Sequence, residues 1–236
     1  MKSAAGIAAA LAVGVGIAAA AAPAAADPVV VELYTSQGCE ECWRANTVLM
    51  ELAERPNVLP LTFAVDYWDY LGWTDSFAHP AFTERQGRYM RSLRLRMLRT
   101  PQVIVDGEAH ASGLDEAAVA SLIDAHRGGP KGAPDAQIIQ RGRRVAVASG
   151  RVPTGGADVW MVRYDPRPLN VTVTRGENRG RTVPHRNVVR ELVRLGSWAG
   201  RPRTYRLPEA IAPGLKTTVL VQARRSGRMI AVADPR

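Results

Sequence analysis

From residue 29 the chain opens on a β-branched run, Val29, Val30, Val31, Glu32, Leu33 and Tyr34, whose continuous apolar character predicts a buried strand. The pattern then changes period. Ala45, Val48, Leu49, Leu52 and Ala53 recur at the spacing of one helical face, and Arg55-Pro56-Asn57 stops them. A second strand is predicted over residues 58–65, and the aromatic-acidic stretch from Asp66 to Trp73 follows it. Residues 74–99 read as partly helical, with Phe82, Tyr89, Met90 and Leu93 on one face after a start near Asp75-Ser76 or His79-Pro80. Thr100-Pro101 leads into a third strand that ends at Asp106-Gly107, a turn signal that returns residues 108–112 antiparallel. A helix over residues 113–127, with Val119, Leu122, Ile123 and His126 on one side, closes this half.

The Gly/Pro-rich stretch at residues 129–134 is the natural domain boundary. Beyond it come short alternating runs at residues 145–148, 159–164, 169–174, 218–221 and 229–232, separated by turn signals such as Gly155-Gly156 and Asp165-Pro166. The expected architecture is an α/β thioredoxin-like domain over residues 27–130, with a helical insertion at about 67–99, followed by a smaller all-β sandwich or barrel over residues 135–236.

Composition adds a compartment. Lys2, then an Ala/Gly/Val/Leu run ending Ala24-Ala25-Ala26, reads as a secretory signal peptide over residues 1–26. No Lys/Arg or Trp/Tyr belt follows, so no stable membrane anchor is expected after cleavage, and the mature protein is expected in the periplasm or medium. Net charge is +9, with 31 basic and 22 acidic residues, yet the excess is arginine spread along the chain. No nucleic-acid-binding motif accompanies it, so nucleic acid is not expected as a partner. The length does not decide the oligomeric state.

The chemistry concentrates in Cys39-Glu40-Glu41-Cys42, which holds both cysteines of the chain at the junction of the first strand and helix. A helix N-terminus offers unpaired N–H groups and a positive dipole end to a thiolate, so such a pair can open and close a small ring. In a thioredoxin-like redox site Cys39 is the nucleophile and Cys42 the resolving thiol, with Thr100-Pro101, as a cis proline, beside the sulfurs. Asp66 either takes the proton of Cys42 or caps the turn after the second strand. Trp68, Tyr70 and Trp73 form either a collar for a peptide or a packed cluster. His110 reads as a surface residue, and Asn178 and His185 belong to a small polar site or a side-chain-bonded turn.

Several strings together resemble one family: Val-Glu-Leu-Tyr-Thr-Ser-Gln-Gly leading to Cys39 and Cys42, Val65 to Trp73, Arg85-Gln86 with Tyr89, Thr100-Pro101-Gln102, Val105-Asp106-Gly107, and Gly176-Glu177-Asn178 through His185 to Arg190. They are similar to bacterial secreted proteins of unknown function assigned to the thioredoxin-like superfamily. The chain departs from that family's pattern, which implies Ser-Ser between the cysteines and Pro-Pro after them, where Glu40-Glu41 and Trp43-Arg44 stand here. Two carboxylates beside the sulfurs disfavour the thiolate, which tilts a redox pair toward reducing or isomerising partners. Three readings remain open. They are a thiol-disulfide oxidoreductase acting on protein or peptide thiols and disulfides without a cofactor, a non-enzymatic binding protein stapled by a static disulfide, and a carrier of copper or zinc.

Overall fold

The computed structural model describes residues 27–127 and 136–235. The expected signal segment and the boundary at residues 129–134 lie outside the described residues. The N-terminal half runs β1 (Val29–Thr35), α1 (Cys42–Leu52), β2 (Val58–Ala64), α2 (Pro80–Ser92), β3 (Gln102–Val105), β4 (Ala109–Ser112) and α3 (Glu116–His126). Alternation along β1 decides what packs where. Val29, Val31 and Leu33 meet α1 and α3, while Val30 and Tyr34 meet Phe82 and Tyr89 of α2 on the opposite face. The helix α2 starts at His79, whose Nδ1 accepts the Ala81 N–H, and Pro80 occupies the first position, where its missing N–H is no loss. Asp115 caps α3 by accepting the Ala118 N–H. At the β3–β4 turn Gly107 has a φ of +72° and its α-carbon abuts the Gly227 carbonyl, so any Cβ there would collide.

The C-terminal half adds β5 (Ile138–Arg141), β6 (Arg144–Val147), β7 (Ala157–Asp165), β8 (Leu169–Thr172), β9 (Thr182–His185), β10 (Val188–Trp198), β11 (Arg203–Arg206), β12 (Lys216–Ala223) and β13 (Met229–Val232). These strands do not form a separate unit. One mixed eight-stranded sheet runs β13-β12-β7-β10-β2-β1-β3-β4 through both halves. Its junction is a parallel contact of β10 with β2, Val188 opposite Thr62. There the Thr62 N–H donates to the Asn187 carbonyl at 3.0 Å, and the Asn187 amide to the Pro60 carbonyl at 2.8 Å. The expected architecture is therefore corrected: the chain is mostly β, built on this large mixed sheet with three α-helices among the described residues. It is not a thioredoxin-like domain with a helical insertion plus a separate all-β domain. The segment taken as an insertion is integral, because α2 covers a sheet face and buries Phe82, Arg85, Gln86 and Tyr89. One core follows, in which Tyr34 and Phe63 join Trp160, Val162 and Leu220. The smaller sheet β11-β6-β5 closes a second cluster over β7 and β12.

A buried ion pair lies inside that shared core. Glu32, on the α2 face of β1, accepts from Arg85 Nε and Nη2, both at 2.7 Å, and each side chain is 1% exposed. The Tyr34 and Tyr89 hydroxyls each donate to Glu32 at 2.7 Å, and Arg85 Nη1 reaches Gln222 of β12 at 3.2 Å. Burial, with the Glu32 charge adding to it, pushes both tyrosines well above their usual pKa and keeps them as donors. The four donors leave the carboxylate fully paired, which is the condition for burying a charge at all.

Candidate functional site at the Cys39–Cys42 loop

After β1 the chain turns through Ser36, Gln37 and Gly38. Ser36 closes the turn twice, its hydroxyl accepting the Gly38 N–H at 3.1 Å and its carbonyl the Cys39 N–H at 3.3 Å. Cys39 and Cys42 are joined in a disulfide with Cα atoms 5.4 Å apart. Cys42 is the first residue of α1, and no side chain caps the helix from Glu41. The dipole end of α1 thus faces the sulfurs without a competing side-chain acceptor. The two cysteines are unequal: Cys42 is fully buried and Cys39 is 4% exposed. Glu40 and Glu41 are both exposed.

The loop is held mainly by residues distant in sequence. Asn178 donates both amide hydrogens to it, to the Gln37 carbonyl at 2.9 Å and the Cys39 carbonyl at 2.8 Å. The Gln37 N–H donates to Asp75 at 2.7 Å, and Trp73 Nε1 donates to the Gln37 side chain at 2.9 Å. Burial raises the Asp75 carboxyl to about 6, a rise that the N–H groups of Gln37 and Phe77 only partly offset. In the first half of α1, Asn46 accepts from Thr35 and donates to Nδ1 of His185 at 3.3 Å. Burial pushes that histidine down to about 4, so it is neutral at pH 7. Arg181 lies 4.6 Å over the Trp43 ring. Half of this shell comes from the turn and strand around β9.

The residues singled out from sequence divide into two groups. Trp68 is brought to the loop, where it packs beside Gly38, and Thr100 is tied to it, its Oγ1 accepting from Trp68 Nε1 at 2.7 Å. The Thr100-Pro101 bond is cis, and Pro101 packs with Ala45, one turn along α1 from Cys42, around Gly113. Asp66 is turned elsewhere, its carboxylate accepting the Thr83 hydroxyl of α2 at 2.6 Å. The aromatic cluster also splits, since Tyr70 is 79% exposed while Trp68 and Trp73 each hold a loop residue or its neighbour. His110 sits half-buried on β4. Asp75, expected only near a helix start, and Gln37 and Asn46 carry no local signature of a role at the loop, and Asp75 differs in sequence from any exposed acid only by its place between Trp73 and Phe77. Among the described residues no three His, Cys, Asp or Glu side chains group where they could hold a metal ion.

Asn178→Ala takes the amide donor from the Gln37 carbonyl and leaves the Cys39 carbonyl with only the Cys42 N–H at 3.2 Å. Unsatisfied buried acceptors cost about 1–3 kcal/mol, so the variant is expected to unfold at lower urea by that amount. Its disulfide is also expected to be reduced faster by dithiothreitol than the wild-type bond. Equal stability and equal reduction rates would show that Asn178 does not hold the loop.

The family model described as "Protein of unknown function (DUF1223)" matches residues 30–222. A protein from Agrobacterium tumefaciens, AGR_C_4864, solved by X-ray crystallography as a structural genomics target, is 31% identical, with 90% of this chain and 95% of that one covered and a TM-score of 0.68. HBP35 of Porphyromonas gingivalis is 14% identical over 88% of this chain and 74% of its own, with a TM-score of 0.52, and that likeness concerns the fold alone. No curated protein matches the chain.

Proposed function

The chain belongs to the DUF1223 family of proteins of unknown function, and from that premise we propose that it is a thiol-disulfide oxidoreductase, working outside the cytoplasm and cycling Cys39 and Cys42. The observation that carries this reading is the placing of the pair at the start of α1, both buried, with Cys42, 0% exposed, as the first residue of the helix and Cys39, 4% exposed, on the loop before it. In the reduced protein the Cys39 thiolate attacks a disulfide of a protein or peptide, forming a mixed disulfide and releasing one substrate thiolate. Cys42 loses its proton and attacks Cys39 Sγ, which re-forms the intramolecular disulfide and releases the second substrate thiol. Two electrons have then passed to the substrate, and an external dithiol restores the pair. Thr100 and Pro101 edge the site, while the Asp66 carboxylate is engaged by the Thr83 hydroxyl of α2.

Glu40 and Glu41 set the direction. Their negative charge opposes the thiolate that the helix end favours, so the potential lies nearer the thioredoxin value of about −270 mV than the strong-oxidant value of about −120 mV. A second reading, a binding protein whose disulfide is a staple, draws on how completely Asn178, Ser36 and Asp75 tie the loop down. Insulin reduction with dithiothreitol separates the two. The wild type is expected to accelerate it, Cys39→Ser to fall to background, and Cys42→Ser to accumulate a mixed disulfide through Cys39. Wild type and Cys39→Ser at the same rate would hand the site to the binding reading.

A further inference from the structure

On the far side of the Glu32–Arg85 pair, a cleft of about 520 Å³ opens between α2, the strands β7 and β10, and the β12–β13 turn. Six arginines line it, and Asp158 is the single carboxylate among its lining residues. Asp158 is already shared, since its Oδ1 accepts from Arg194 at 2.8 Å and from Arg224 at 2.9 Å. Arg85 is matched by Glu32 behind it. That leaves Arg88, Arg91 and Arg225 without an ion pair among the described residues, and the carboxylate that acts on Arg88 is the exposed Glu84, one turn before it. Arg88 is held in place, its guanidinium 4.8 Å over the Trp160 ring. Three guanidinium groups kept beside a fourth and fifth that share one carboxylate repel each other, and an anion bound among them removes that repulsion. A planar guanidinium takes a phosphate or carboxylate through two parallel N–H bonds, which a cluster of exposed lysines would not do.

The geometry points to a binding site for a small molecule carrying two or more anionic groups, held by Arg88, Arg91 and Arg225 and distinct from the cysteine loop. The size of the cleft is that of small-ligand pockets, roughly 300–1,000 Å³, and none of its lining residues belongs to the cysteine loop. Inorganic pyrophosphate serves as the probe, by isothermal titration of the oxidised protein at low and moderate salt. The wild type is expected to bind one equivalent saturably, with affinity falling as salt rises. Arg88→Gln/Arg225→Gln is expected to bind at least about tenfold more weakly, in line with losing two charge-assisted contacts. Arg225→Gln alone, at an exposed turn where folding is not at stake, should lose about threefold or more on the same grounds. Arg55→Gln, on the exposed turn after α1 and outside the cleft, is the control and should bind as the wild type does. Absence of saturation, equal affinity in the cleft variants, or an equal loss in Arg55→Gln would overturn the site, the last by showing attraction to the basic surface as a whole. Acetate in place of pyrophosphate should bind too weakly to saturate; tight acetate binding would contradict the requirement for two anionic groups.

Discussion

Arg85→Met is expected to destabilise the protein by about 3–5 kcal/mol, the cost of breaking a buried ion pair from one side. The size follows from what remains. Glu32 would keep two tyrosine donors but lose the charge and both guanidinium hydrogen bonds, at a position 1% exposed. Arg85 also stands within 5.7 Å of the ring centres of Phe63, Tyr89 and Trp160, and methionine replaces only part of that contact. Urea unfolding at pH 7 measures the loss. Adding Glu32→Gln to the same chain should recover a substantial share of it, because the penalty is mostly the orphaned charge. A single variant within about 1 kcal/mol of wild type, the scale of an exposed pair, would mean that the pair is not the bolt between β1, α2 and β12.

The second large effect is one of pH, and two buried groups pull in opposite directions. Asp75 has its folded pKa raised to about 6 by burial, so its protonated form is favoured in the folded chain. Its stabilising contribution is complete below the unfolded value of about 3.9 and is lost as pH rises through about 6. His185 has its folded pKa lowered to about 4, so its contribution is present above about 6.5 and is lost as pH falls toward 4. Each shift corresponds to roughly 3 kcal/mol. In the wild type the two slopes oppose each other between pH 6.5 and 4. Asp75→Asn removes one of them, so this variant should lose stability relative to the wild type as pH falls from 7 to 4, by up to about 3 kcal/mol. Unfolding curves at pH 7, 5.5 and 4 test this, and a difference that stays constant with pH would show that Asp75 does not titrate in that window.

The N-terminal half is readable as a list of elements, but the C-terminal half only in part, since β5, β9, β10 and β11 lie outside the predicted runs, and the way the halves join is not readable at all. The strand β10 carries the junction, and its sequence, Val188-Val-Arg-Glu-Leu-Val-Arg-Leu-Gly-Ser-Trp198, does not alternate cleanly. The structure gives the reason: the register against β7 shifts between Val189 and Glu191 and again between Arg194 and Gly196, and each shift resets which face the next side chain takes. A period-two search loses such a strand, and with it the single sheet. The cysteine loop, the cis proline and its threonine were legible because each has a local signature. Asn178 and His185 were seen as a polar cluster but not as a wall of the site, since nothing local shows that a turn more than a hundred residues away closes over Gln37 and Cys39. Glu32 stood in plain view as the one charge in an apolar run, and its partner Arg85 looked like one arginine among many.

The junction between β2 and β10 also governs the order in which the chain becomes a protein. Pro60 and Asn187 meet across 127 positions of sequence, and Asn178 reaches Cys39 across 139. While the chain emerges from its N-terminus, β2 has one neighbour and an open edge, and the two thiols lie in a loop with one wall missing. Contacts this distant carry a large closure entropy before they return any energy, which slows folding. The loop that carries the cysteines is therefore complete only after the turn of Asn178 has docked on the Gln37 and Cys39 carbonyls.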